Sequence, residues 1–254
     1  MNSKKTKIFF IGAGPGDPEL LTIKASKIVK KADIIVYAGS LVNKEILKIA
    51  KKKARMYDSA GMNLEEVVNI FKAAKKTGKI VARVHSGDPS IYGAIQEQMD
   101  WCEKEGIEYE VIPGVSSFQA AAAALKQEFT LPGVSQTIIL TRISGRTEVP
   151  AKEDLARLSA ARATMVIFLS VQEIESVVRK LLRGYGHDTP VAVVEKVSCR
   201  DERHVRGTLA DIERKVKEAG IKRQALIIVG DVLRKTYKKS KLYDKNFAHG
   251  FRGA

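Results

Sequence analysis

Three times in its first half the chain repeats one local plan: an apolar run of strand length breaks into a glycine-containing loop, and a helix-start signal follows. Ile8-Phe9-Phe10-Ile11 runs into Gly12-Ala13-Gly14-Pro15-Gly16-Asp17-Pro18. The run ending at Val84 continues as His85-Ser86-Gly87-Asp88-Pro89, and Tyr109 to Ile112 meets Pro113-Gly114-Val115-Ser116-Ser117. In Asp17-Pro18 and Asp88-Pro89 the carboxylate suits the free N–H groups of a helix start, and the proline suits the first helical position. Strands that alternate with helices in this way are joined by crossovers, which make parallel neighbours and a sheet covered by helices.

The same reading extends along the chain. Strands are predicted at 7–12, 33–37, 55–57, 79–84 and 109–112, with helices over 17–31, 43–52, 63–76, 92–105 and 116–125. Asn63 with Glu66 three residues on reads as a capping box. The stretch 128–135, with Pro132-Gly133, carries no periodicity and reads as a linker or crossover. Strands at 137–141, 164–169, 190–197, 204–207 and 224–230 follow, with helices at 152–160, 172–183 and 208–218. A short turn near Arg200-Asp201 permits an antiparallel pair in this half. The expected fold is therefore two α/β domains, the first with a mostly parallel sheet and the second with a mixed or antiparallel one. The boundaries are set at 1–118 and 119–235, with a polar, basic tail over 236–254. At 254 residues and 44% hydrophobic, the chain can bury one large core or two modest ones.

Charge and cysteine usage narrow the function classes. Lys and Arg outnumber Asp and Glu by 44 to 29, for a net charge of +15. Such a surface attracts polyanions: nucleic acid, a membrane face, or a small molecule with many carboxylates. Cys102 and Cys199 lie far apart, and His85, His187, His204 and His249 are scattered, so no metal-ligand spacing emerges. No apolar run is long enough to cross a bilayer, and the first one lacks a leader's length and cleavage site. The reading is a cytoplasmic protein with reduced thiols, no membrane partner and no metal.

The first glycine loop does not fit a dinucleotide site. Pro15 interrupts the spacing that such a fingerprint needs, and Asp17 sets a carboxylate where a pyrophosphate would sit. The second strand ends in Tyr37-Ala38-Gly39-Ser40, with no acid to take a ribose hydroxyl. Any one of these glycines can equally serve backbone geometry alone. Taken together, however, the three loops lie at the C-terminal ends of strands, the edge of an α/β sheet where ligands bind.

The order of these pieces resembles the tetrapyrrole (corrin and porphyrin) methylases. The matching segments are Gly12 to Pro18, Asp33 to Tyr37, His85 to Pro89, Pro113 to Ser117, Val166 to Ser170, Pro190 to Glu195 and Ala225 to Gly230, spanning nearly the whole chain. Further pieces resemble the branch acting at C11 of precorrin-4 or cobalt-precorrin-4 in corrin-ring synthesis. They are Tyr37 to Val42, Ala60-Gly61-Met62, Tyr92 to Met99, Leu140-Thr141-Arg142 with Gly145-Arg146-Thr147, and the tail Ser240 to Lys245 with His249 to Arg252.

The resemblance implies a homodimeric enzyme, S-adenosylmethionine as methyl donor in a cleft between the domains, and S-adenosylhomocysteine as product. It implies donor contacts at Pro15, Ser86, Gly87, Asp88, Ile91, Ser116, Ser117, Leu169 and Val197. The first loop (Gly12, Gly14, Gly16, Asp17) is then expected to face the tetrapyrrole. Arg83, His85, Arg142 and Arg146 are candidates for the substrate's carboxylates, because a guanidinium fork matches carboxylate geometry. The family's uroporphyrinogen branch has an acid–base pair. Its lysine falls at Asp58 here and its aspartate near Gly39, so the pattern is broken at both places and Asp58 stands as the sole catalytic candidate. A methylase of the same fold acting at another ring position is the near alternative. An rRNA ribose methyltransferase is the distant one. RNA binding asks for aromatic stacking platforms, yet aromatics make up 6% of the chain and are not interleaved with the arginines, so no nucleic-acid partner is expected. A non-catalytic tetrapyrrole- or nucleic-acid-binding module is the third possibility, and the presence of all three loops speaks against it.

Overall fold

The computed structural model describes residues 5–145, 147–234, 236–240, 247, 248 and 250. The chain divides into two compact units: residues 1–120 with 196–201, and residues 121–195 with 202–254.

The first unit is built on β1 (Lys7–Gly12), β2 (Ile34–Tyr37), β3 (Arg55–Asp58), β4 (Ile80–His85) and β5 (Glu108–Ile112). Its helices are α1 (Ile23–Lys31), α2 (Lys44–Leu47), α3 (Leu64–Thr77), α4 (Gln96–Lys104) and the first turn of α5 (Ser117–Leu125), of which residues 117–120 belong to this unit. All five strands pair parallel in the order β3-β2-β4-β1-β5. Successive residues of a strand point to opposite faces, so each face gathers its own core. Ile8, Phe10, Val36 and Val81 join Val67, Phe71 and Ala74 of α3 and Cys102 of α4. Ile11, Ile35, Ala82 and Val84 join Ala25 and Val29 of α1 and Ile46 of α2. Phe10 meets Phe71 and Tyr109 edge to face, with ring centroids 6.4 and 6.0 Å away. Burying one such ring contributes about 1.5–3 kcal/mol.

The helix ends follow sequence logic where a cap is present. Asn63 and Glu66 close a reciprocal capping box on α3, which ends at Gly78 with φ +61°. Other helices are shorter than the periodicity predicts. The stretch expected as one helix over 17–31 is a 3-10 turn, Pro18–Leu20, capped by Asp17, followed by α1, capped anew by Thr22. The helix expected over 43–52 is one turn, and Lys51 instead bonds the Lys31 carbonyl and Asp33. The helix expected from Tyr92 begins at Gln96, because Tyr92 and Ala94 hold left-handed φ angles of 57° and 49°.

The second unit contains β6 (Ile138–Arg142), α6 (Leu155–Leu158), β7 (Thr164–Phe168), α7 (Ile174–Leu181), β8 (Pro190–Glu195), β9 (Arg203–Thr208), α8 (Ile212–Glu218) and β10 (Ala225–Val229). The strand order is β6-β7-β10-β8-β9. β6 and β7 are parallel, whereas β10 is antiparallel to both neighbours and β8 and β9 form the expected antiparallel pair. Ile174, Val177, Val178 and Leu181 make one buried stripe of α7, and they join the strands' inner residues in a single core. The edge strand β9 carries Arg203, His204 and Arg206, charges that discourage pairing with another sheet. The stretch 128–135 is no free linker: Phe129 and Leu131 are buried, and Thr164 Oγ1 donates to the Phe129 carbonyl at 2.8 Å.

Candidate active site

In the first sheet β1 and β4 are neighbours, yet the helices that follow them cover opposite faces, α1 one and α4 the other. That divergence opens a crevice at the C-terminal edge, where open α/β sheets take ligands. The first two glycine loops leave the sheet here, side by side. Gly12 is paired with His85, and Ala13 N–H donates to the His85 carbonyl at 2.8 Å. Gly14 and Gly87 then form an antiparallel bridge through N–H to carbonyl bonds of 3.2 and 2.7 Å. Both hold left-handed φ angles, 77° and 62°, which glycine adopts without a Cβ penalty.

The third loop locks onto the other two. A Cβ on Gly114 would run into the Gly87 carbonyl oxygen and come within 2.8 Å of Gly12 Cα. Asp88 fastens the junction electrostatically. Its Oδ1 accepts from the Ser90 N–H at 2.8 Å and from the Ser90 hydroxyl, and its Oδ2 accepts from the Gly114 N–H at 2.9 Å. Partial burial works against ionisation of this carboxyl, but those bonds outweigh it and hold the group below the usual carboxylate range. An ionised Asp88 keeps lone pairs for an ammonium or hydroxyl group on a ligand. Ser116 is buried with its N–H given to Gln119 at 3.0 Å, while Ser86, Ser117 and Ile91 are half-buried nearby in sequence. A backbone floor of glycine, an ionised acceptor and serine hydroxyls fit a nucleoside-like ligand carrying an amino-acid tail.

Residues 196–201 fall by sequence within the stretch expected as the second domain, yet they pack on the first unit. Ser198 Oγ accepts from the Asp17 N–H at 3.0 Å, and a Cβ on Gly16 would strike the Cys199 sulfur. Val197 is buried, between Lys196 and Ser198 at φ 48° and 64°. The first-loop residues 12–16 are buried, Pro15 included, and Asp17 is half-buried as a cap. These glycines shape the edge through backbone packing.

Of the candidates for the substrate's carboxylates, Arg83 and Arg142 bond to protein acceptors and His85 is buried. Arg83, expected to reach toward a ligand, is 7% exposed and donates to Gln98, Ser59 and the Val36 carbonyl. His85 is 5% exposed. Burial, with Arg83 nearby, pushes its imidazole down to about 3, so it is neutral at physiological pH. In the second unit Arg142 donates to the carbonyls of Ile143, Thr147 and Glu148, tying the loop after β6 together. Arg146, the Lys241–Lys245 part of the tail, His249, Phe251 and Arg252 lie outside the described residues. Asp58 is exposed, and its Oδ1 accepts from the N–H groups of Gly39 and Ala60 at 3.0 and 2.9 Å. The Asp58 carboxylate occupies the space a Gly39 Cβ would need, so a side chain at 39 would displace it.

In the second unit Leu169 follows β7 with φ 53° and is 72% exposed, a strained leucine presented to solvent at a strand's C-terminal end. Sequence reasoning missed Ser59, Gln98, Gln119, Ser198 and Cys199 as supporting residues. Ser59, next to Asp58, carried a usable signal: a hydroxyl at a strand end, within reach of a buried arginine.

Among the described residues no cluster of ligating side chains could hold a metal ion, and no helix is long and apolar enough to cross a membrane. A parallel sheet with three interlocked loops at its crevice, followed by a mixed five-stranded sheet, defines a recognisable class. Residues 7–213 match the model of the tetrapyrrole (corrin/porphyrin) methylases, and the chain belongs to that family. It is 57% identical over 248 residues to the cobalt-precorrin-4 C(11)-methyltransferase of Methanocaldococcus jannaschii, covering 97% of this chain and 96% of that one. The Priestia megaterium enzyme of the same name is 45% identical, with 97% of each chain covered. Among solved structures, a cobalt precorrin-4 methyltransferase of cobalamin biosynthesis superposes with a TM-score of 0.87 at 44% identity, covering 89% of this chain and 95% of that one. The uroporphyrin-III C-methyltransferase of Thermus thermophilus, complexed with S-adenosylhomocysteine, gives 0.77 at 27% identity, over 92% of this chain and 96% of that one.

Proposed function

We propose that this chain is an S-adenosylmethionine-dependent C-methyltransferase that acts at C11 of cobalt-precorrin-4 or precorrin-4. The observation that carries the reading is the 57% identity, sustained over 97% of the chain, to a relative of that activity. The bound donor supplies an electrophilic methyl on a sulfonium, and the macrocycle carbon is already electron-rich. The protein's task is then alignment and exclusion of water.

In this reading Gly87 and Gly114 let backbone approach the donor, Asp88 accepts from its ammonium or hydroxyl groups, and Ser86, Ser116 and Ser117 offer hydroxyls. Pro15, Ile91, Val197 and the exposed Leu169 supply apolar contact. Residues 12–17 form the tetrapyrrole-facing edge, Arg142 orders the loop after β6, and Arg142 and Arg146 meet the substrate's carboxylates. Asp58, its Oδ1 held by two N–H groups, keeps Oδ2 for a proton of the macrocycle. The chain works as a homodimer in the cytoplasm, where Cys102 and Cys199 stay reduced. The test is incubation with labelled donor and each precorrin, with NMR location of the new methyl. Label at C11 is expected; label at another ring carbon would replace this reading with a different family activity. Light scattering at twice the monomer mass checks the dimer.

A further inference from the structure

Arg83 is a buried cation with no anion beside it among the described residues. Its three described acceptors, Gln98 Oε1 at 3.1 Å, Ser59 Oγ at 2.9 Å and the Val36 carbonyl at 3.4 Å, are all neutral. Nη2 has no acceptor among the described residues. Burial lowers the guanidinium to about 10, which still leaves it charged at neutral pH. A buried charge without a countercharge is costly, and buried charges in native proteins are as a rule paired. Two residues on along β4, on the same face, the Nε2 of His85 is enclosed and also has no partner. It is the sole fully enclosed side-chain polar atom left unsatisfied among the described residues, so Nη2 of Arg83 keeps contact with solvent. Two unsatisfied nitrogens thus lie on one face at the C-terminal end of the strand that feeds the second glycine loop. Because His85 is neutral there, the pair carries one positive charge, on the guanidinium.

We propose that Arg83 heads a carboxylate subsite, in which its Nη2 receives one acetate or propionate group of the macrocycle beside the enclosed imidazole of His85. This rests on the tetrapyrrole reading above and adds where one of the acidic arms is held. The anion supplies the countercharge that Gln98, Ser59 and Val36 do not. Gln98 and Ser59 act as positioning residues, fixing the guanidinium plane.

The test compares Arg83→Gln, Arg83→Lys and His85→Gln with the wild type, using precorrin-4 and S-adenosylmethionine. R83Q should raise KM for the macrocycle by about tenfold to a hundredfold, the range for a hydrogen bond to a charged group. R83K should recover part of the loss, with S-adenosylhomocysteine affinity near wild type in both. Should R83Q fail to fold, the wild-type protein decides by histidine 15N NMR. The His85 imidazole signal, assigned by its loss in H85Q, should shift on addition of uroporphyrin, a polycarboxylate macrocycle, and stay still on addition of S-adenosylhomocysteine. Unchanged KM in R83Q, or an imidazole signal unmoved by saturating uroporphyrin, overturns the subsite. A wild-type protein that shows the shift but does not methylate precorrin-4 sinks the functional reading and leaves the subsite standing.

Discussion

Gly114 shows how little room a single carbon has at this site. Its Cα hydrogen points at the Gly87 carbonyl and the Gly12 backbone, so Gly114→Ala must push two loops apart. Overpacking of this kind destabilises by about 1–3 kcal/mol. The expected result is a lower unfolding midpoint and no calorimetric uptake of S-adenosylhomocysteine. His85 makes a prediction of a different sort. Its folded-state pKa, about 3, lies below the ordinary 6.5. On acidification through 6.5 the unfolded chain takes up a proton that the folded chain refuses, so stability falls until about pH 3, where the folded form also protonates. The slope is about 1.4 kcal/mol per pH unit for this one proton, and denaturant titrations of wild type and His85→Gln should differ by that component. The side-chain partners of Arg83 and Arg142 were not legible in the sequence. An arginine at a strand end looks the same whether it meets a ligand or a neighbouring carbonyl, and the choice depends on contacts such as Ser59 and Thr147.

At the scale of elements, strands and capped helices were readable and irregular segments were not. Phe10, Val36 and Val81 announce buried strands by composition, and Asn63 with Glu66 announces α3 by spacing. Tyr92 and Ala94 defeat the helical periodicity of 92–99, because two left-handed residues cannot be inferred from a helix-compatible pattern. The strand expected over 190–197 likewise runs past the end of β8 at Glu195, after which Lys196 and Ser198 turn the chain sharply. The segment 196–201 meets the first loop through the Ser198 hydroxyl on the Asp17 N–H. Ser198→Ala should leave that N–H unsatisfied, at a cost of about 1–3 kcal/mol. Donor affinity measured by calorimetry should weaken, with the far-UV spectrum unchanged; unaltered affinity would remove the segment from the donor site.

For the whole molecule, the surplus of 44 basic over 29 acidic residues has a kinetic meaning. A substrate rich in carboxylates is drawn by that field, and salt screens the attraction over about 8–10 Å at physiological ionic strength. KM for the macrocycle should therefore rise with added salt while kcat stays level, since attraction acts before the chemical step. A salt-independent KM would assign the charge to solubility alone. Some lysines, such as Lys24 with Glu110 and Lys51 with Asp33, are paired with acids and add little to that field. The steering term should thus depend on the summed field more than on any one lysine.

The first unit is assembled from two separated stretches of chain, 1–120 and 196–201. A ribosome delivers the first of these long before the second. The nascent N-terminal sheet must wait, with Gly16 bare and the Asp17 amide unanswered, until most of the second unit has been synthesised. A fragment that stops at residue 120 should therefore emerge as a sheet lacking one wall of its ligand edge, and adding back a peptide spanning 196–201 is the natural complementation experiment.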